Sequence, residues 1–118
     1  MPRYRKDLPQ LSGAPFLTDG GLETTLFFID GHDLPEFAAF VLLESEEGRE
    51  ALRAYYRTYA DIARNHGMGF ILESMTWRAS RDWGAKIGYA PEQLAELNRR
   101  GIELLVGIRH EYEGQVPH

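Results

Sequence analysis

Two short apolar runs, each ending in polar residues, are the most informative feature of the hydrophobic pattern. The first covers Phe16–Thr18 and stops at Asp19-Gly20-Gly21, and the second covers Gly69–Ser74 and leads into Thr76 and Trp77. Short apolar runs bounded by turn residues are typical of buried strands. Carboxyl ends of neighbouring parallel strands open on one crevice, so the pattern predicts that the two polar ends meet there.

Helical periodicity occupies most of the remaining chain. It predicts one long helix over 46–66 and another over 91–113, each with an apolar side spaced by three and four residues. Their apolar positions are Leu52, Tyr55, Tyr56, Tyr59, Ile62 and Ala63 in the first and Leu94, Leu97, Leu104, Leu105, Ile108 and Tyr112 in the second. The tyrosines are interpreted as packing residues, and Gly101 within the second helix predicts close contact with a neighbour.

Shorter segments fill the gaps between these elements. Residues 22–29 favour a short helix, 36–43 a loop or short helix covering the crevice, and 76–90 a long loop. Residues 1–15 are predicted to form an irregular arm, with residues 16–118 as one domain. The alternation of strands and helices predicts an α/β fold.

Composition narrows the classes of function. The net charge of -5 argues against a nucleic-acid partner, and no apolar run approaches the ~20 residues that span a bilayer. A soluble, cytoplasmic protein is therefore expected. The chain has no cysteine and its four histidines lack metal-ligand spacing, so no metal site is predicted within it.

Three segments resemble the homocysteine S-methyltransferase family. They are Leu17-Thr18-Asp19-Gly20-Gly21-Leu22-Glu23-Thr24, Ala54-Tyr55-Tyr56 and Glu73-Ser74-Met75-Thr76-Trp77-Arg78-Ala79-Ser80. The resemblance covers residues 16 to about 113 and matches the N-terminal part of the family. It implies that the chain forms the first β/α units of a TIM (β/α)8 barrel, incomplete in this chain.

The same resemblance implies methyl transfer from a donor to homocysteine, a step of methionine biosynthesis. The substrate-binding residues it implies are Asp19, Gly20, Gly21, Ser74, Thr76 and Trp77. Members of the family hold zinc with cysteine thiolates, and the bound zinc activates the substrate thiol. Because this chain has no cysteine, it is expected to be inactive alone and to need the remainder of the barrel. Glu73, Met75, Trp77 and Arg78 depart from the smaller or amide-bearing residues often found at these positions.

Other interpretations of the same residues remain open. Asp19-Gly20 is also a common turn dipeptide, Trp77 and Arg78 could be a rim aromatic beside a solvated arginine, and Glu73 could pair with an arginine, Arg78 or Arg81. At the level of function, one alternative is a non-catalytic binding or assembly module that completes its sheet by self-association as a homo-oligomer. Another is a β/α enzyme that uses Asp19 and Glu73 as an acid/base pair.

Overall fold

Two parallel strands of three residues each lie side by side beneath the long helices. The computed structural model describes residues 3–118, and within them β1 (Phe16–Thr18) pairs with β2 (Gly69–Ile71). Phe16 lies opposite Gly69 and Thr18 opposite Ile71, so the carboxyl ends of both strands reach the same edge of the sheet. Both predicted strands are therefore present and share an edge, although β2 ends at Ile71 and not at the predicted Ser74.

Both long helices form where the periodicity predicts them. Helix α2 spans Glu46–Asn65 and α4 spans Pro91–Tyr112. The Ser45 hydroxyl caps α2 by accepting from the Gly48 N–H at 2.9 Å, and the Gln93 side chain accepts from the Ala90 N–H at 2.8 Å at the start of α4. Gly101 of α4 is buried against Met75, which agrees with the predicted close contact.

The segment between β1 and α2 is a chain of short helical turns. Helix α1 (Leu22–Thr24) continues into a π-helical turn over Thr25–Ile29, followed by 3-10 turns at Pro35–Phe37 and Ala39–Glu44. The predicted helix over 22–29 is thus helical throughout. The last turn lies in contact with both α2 and α4, so it belongs to the core rather than to a cover over the crevice.

The segment that follows β2 differs from its prediction. Residues 76–90 contain a helix, α3 (Arg81–Lys86), whose first turn is capped by Ser80. Gly84 of α3 is buried against Leu94 of α4, which explains why the segment folds back instead of extending as a loop.

Both ends of the chain lie near the sheet. The predicted arm over 1–15 begins outside the described residues; its described part contains a 3-10 turn at Pro9–Leu11. Arg3 pairs with Glu113 at 2.8 Å, and the Phe70 N–H of β2 donates to the His118 carbonyl at 3.0 Å. The C-terminal tail is therefore bonded to β2, and the arm is attached to the segment that follows α4.

The prediction that the chain forms the first β/α units of a TIM barrel is wrong. The sheet has two strands in the described part of the chain, and 59% of the described residues are helical. Each strand has three residues, below the usual five to six or so, and between β1 and α2 the chain makes several short turns instead of one covering helix. The fold is a small, mostly helical domain around a two-stranded parallel sheet.

Within residues 3–118, no helix is both long enough and apolar enough to cross a bilayer.

Candidate functional site

Asp19 lies directly after β1, and only one of its two carboxylate oxygens accepts a hydrogen bond from the described residues. Its Oδ2 accepts from the Tyr55 hydroxyl at 2.9 Å. Its Oδ1 is buried and, within residues 3–118, has no hydrogen-bond partner. A buried acceptor without a donor costs about 1–3 kcal/mol, so this oxygen is suited to a ligand that brings a donor.

Two tyrosines of α2 hold the end of β1. The Tyr55 hydroxyl lies 2.9 Å from both Asp19 Oδ2 and the Gly20 carbonyl, and the Tyr59 hydroxyl also lies 2.9 Å from the Gly20 carbonyl. Each phenol has one proton to donate. If Tyr55 donates to Asp19 and Tyr59 donates to the Gly20 carbonyl, both acceptors receive a hydrogen bond. The pKa of Tyr55 is raised, chiefly by burial and secondly by the hydrogen bond to Asp19. The Tyr55 hydroxyl therefore stays protonated and can donate.

The two glycines after Asp19 leave space beside the carboxylate. Gly21 adopts φ +69°, a left-handed conformation that favours glycine, and it begins α1. A Cβ atom built on Gly20 or Gly21 would meet nothing within 4 Å. The backbone at the end of β1 is therefore open to a neighbouring molecule.

The end of β2 carries a second polar pair. The Ser74 and Thr76 hydroxyls lie 2.5 Å apart, and both residues are half-buried, while Met75 between them is fully buried. Tyr56 of α2 donates to the Glu73 carbonyl at 2.7 Å. Burial and then the negative charges of Asp19, Glu23 and Glu73 raise the pKa of Tyr56, so this phenol also remains a donor.

Beside the second strand end, the Arg78 side chain packs against the rings of Trp77 and Trp83. The Arg78 guanidinium lies 4.3 Å from the centre of the Trp77 ring and 3.9 Å from that of Trp83. Arg78 also donates to the Glu36 carbonyl, and its own φ of +68° is an uncommon backbone conformation. Arg78 is thus a packed residue that joins two loops, whereas the Trp77 side chain remains 54% exposed.

The structure brings most of the sequence-predicted residues to one edge of the sheet. Asp19 and Gly20 are joined through α2 to the strand end that carries Ser74 and Thr76, while Trp77 lies at the margin with Arg78. Across residues 3–118, Glu73 forms no ion pair with Arg78 or Arg81.

The sequence interpretation missed the roles of Tyr55, Tyr56 and Tyr59 at the strand ends, because it treated the tyrosines of α2 as packing alone. The signal was present: a buried tyrosine hydroxyl usually finds a partner, and three tyrosines on one apolar side bring three hydroxyls.

The donor set of this site does not fit a zinc centre. No group of three histidine, cysteine, aspartate or glutamate side chains that could hold a metal ion occurs among the described residues. The chain has no cysteine, and Asp19, Ser74 and Thr76 together offer one carboxylate and two hydroxyls. These groups suit hydrogen bonding to a polar organic molecule rather than thiolate ligation of zinc.

Comparison with known proteins gives no match: no family model, no curated protein and no solved structure is significantly similar to the chain.

Proposed function

We propose that the chain binds a homocysteine-like amino acid at the strand-end site and acts as the acceptor-binding part of a homocysteine S-methyltransferase-like protein. The observation that carries the proposal is the buried Oδ1 of Asp19, which has no hydrogen-bond partner among the described residues. An α-ammonium group is a charged donor that matches a carboxylate oxygen better than a neutral donor does. The resemblance of residues 17–24 and 73–80 to that family supports the choice of amino acid.

Each residue of the site has a role in this proposal. Asp19 accepts from the α-ammonium group, held in place by Tyr55, while the open backbone at Gly20 and Gly21 admits the main-chain part of the substrate. The hydroxyl pair of Ser74 and Thr76 has remaining donor and acceptor capacity for the substrate carboxylate. The exposed face of Trp77 bounds the thiol-bearing side chain.

The chemical step needs more than these residues. Methyl transfer forms a carbon–sulfur bond at the acceptor, breaks the bond between the methyl group and its donor, and releases the thiol proton. The family would meet this need with zinc, whose ligands this chain does not carry, so the proposal assigns binding to the chain and leaves it inactive alone. The methyl donor and any zinc ligands would come from outside the chain, and the expected location of such a protein is the cytoplasm.

Replacing Asp19 with asparagine is expected to weaken homocysteine binding by about tenfold to a hundredfold, because the charged acceptor for the ammonium group is lost. Isothermal titration calorimetry under reducing conditions measures this directly. Asp33→Asn, at an exposed carboxylate, is the matched control and should bind like the unchanged chain. N-acetylhomocysteine, which lacks the ammonium group, should bind weakly to all three proteins. Equal binding of homocysteine by the Asp19 and Asp33 variants would contradict the proposal.

A second candidate function, self-association that completes the sheet, is favoured by a different observation. In the described residues β1 pairs with β2 alone, so its other edge is free to pair with a second copy. Sedimentation velocity across a concentration series should then show a dimer or larger species. A single monomeric species at all concentrations would count against this candidate and would leave the binding proposal intact.

A further inference from the structure

A concavity with a volume of about 240 Å³ lies between β2, α2 and α4. Its walls include Ala60 of α2, Phe70 and Leu72 at β2, and Ile108 and Tyr112 of α4. None of the strand-end residues Asp19, Ser74, Thr76 and Trp77 lines it. This cavity is therefore separate from the candidate site described above and does not depend on its function.

The two ends of the described chain roof the cavity. Tyr4 from the arm and Val116 and His118 from the tail line it, and the tail is held by the hydrogen bond from the Phe70 N–H to the His118 carbonyl. The His118 ring stacks on Phe16 with centroids 6.2 Å apart and meets Tyr4 edge-on at 6.1 Å. These contacts give the cavity a defined roof over apolar walls.

The rim of the cavity carries more positive than negative charge among the described side chains. Glu113 Oε1 lies 2.8 Å from Arg3 Nη1 and 3.8 Å from Arg109 Nε, so a single carboxylate faces two guanidinium groups. All three side chains are partly exposed. An additional anion at this rim would balance the second guanidinium, and arginine binds carboxylates well because of its planar donor fork.

The size of the cavity limits its occupant. An apolar cavity of about 150 Å³ holds benzene, so this one has room for a single ring with a short arm. We propose that the cavity binds a small organic anion with an apolar ring and a carboxylate on a short arm. The ring lies against Leu72 and Ile108, and the carboxylate reaches Arg109 at the rim.

Phenylacetate is the probe that tests this assignment, with phenylacetamide and phenethylamine as neutral and cationic analogues of similar shape. In ¹⁵N-edited NMR titrations of the full chain, phenylacetate should shift the backbone amides of Phe70, Leu72 and Tyr112. Its Kd should be on the order of 1 mM or lower, as befits a ligand of this size. The two analogues should bind at least about fivefold more weakly, because neither presents a carboxylate to arginine.

Two kinds of variant separate the charge of the rim from the shape of the cavity. Arg109→Gln should weaken phenylacetate about tenfold and leave phenylacetamide unchanged, whereas Arg99→Gln, on the same helix but outside the cavity lining, should alter neither. Ala60→Leu should fill the cavity and abolish binding of all three probes. Val116→Phe is the alternative if the Ala60 variant does not fold, as judged by circular dichroism.

Three results would overturn the proposal. They are equal affinity for the three probes, shifts that fall at Ser74 and Thr76 instead of at the cavity walls, and unchanged phenylacetate binding by Arg109→Gln or by a folded cavity-filling variant.

Discussion

Replacing Gly48 with alanine is expected to reduce the free energy of unfolding by about 3 kcal/mol, at the upper end of the usual cost of overfilling a packed interior. Gly48 is buried in the first turn of α2, and a Cβ atom there would lie 2.1 Å from the Leu42 carbonyl oxygen and 2.8 Å from its carbonyl carbon. These are backbone atoms, so relief requires the whole turn at Ala39–Glu44 to move. Urea denaturation followed by circular dichroism measures the loss.

Gly107→Ala provides the matched control for this prediction. Gly107 lies within α4, is exposed, and has nothing within 4 Å of the position where a Cβ atom would be placed. Alanine is the better helix former by about 1 kcal/mol, so this variant should be more stable than the unchanged chain. If both glycine variants changed the free energy of unfolding in the same direction, the close contact between Gly48 and the Leu42 carbonyl would be contradicted.

Replacing Phe40 with alanine is expected to cost about 3–5 kcal/mol, the range for removing a buried aromatic ring. Phe40 has no solvent exposure, and its ring meets that of Tyr89 with centroids 5.4 Å apart. The turn that carries it contacts both α2 and α4, so the neighbouring elements can close the resulting space only in part. Thermal and urea denaturation should both report the loss.

Phe28→Ala compares the same chemical change at an exposed position. The Phe28 side chain is 71% exposed, and its removal should alter the free energy of unfolding by no more than about 0.5 kcal/mol. A Phe40 variant as stable as the Phe28 variant would show that the turn at Ala39–Glu44 is not part of the core.

The long helices and the two strands could be predicted from sequence because their signals are local. Helix α2 has a capping serine and an apolar side of regular spacing, and Pro91 marks the start of α4. The core turn at Ala39–Glu44 could not be recognised in the same way. Its apolar residues are continuous, and a short continuous run does not distinguish a buried turn from a cover over a crevice.

The barrel prediction failed for a different reason. A match of residues at two strand ends describes a local arrangement, whereas the number and length of strands depend on the whole chain. Here β1 and β2 have three residues each and pair only with each other in the described part of the molecule. The common edge of the strands, which positions Asp19 and Ser74, follows from parallel pairing alone and does not require a barrel.

Sequence patterning predicted that Asp19 and the hydroxyls after β2 lie at one edge of the sheet, but it did not predict which side chains hold them there. The hydroxyl of Tyr55 reaches the first strand end, and that of Tyr56 reaches the second. Helical spacing assigns these residues to a buried side, and it contains no information about the acceptor that each hydroxyl finds.

Tyr55 and Tyr56 are consecutive residues, so their side chains leave α2 about 100° apart around its axis. Each is attached to a different strand end. Turning the helix in either direction would therefore strain at least one of these attachments. Helix α2 therefore fixes the position of the two strand ends relative to each other, even though the sheet is only three residue pairs long.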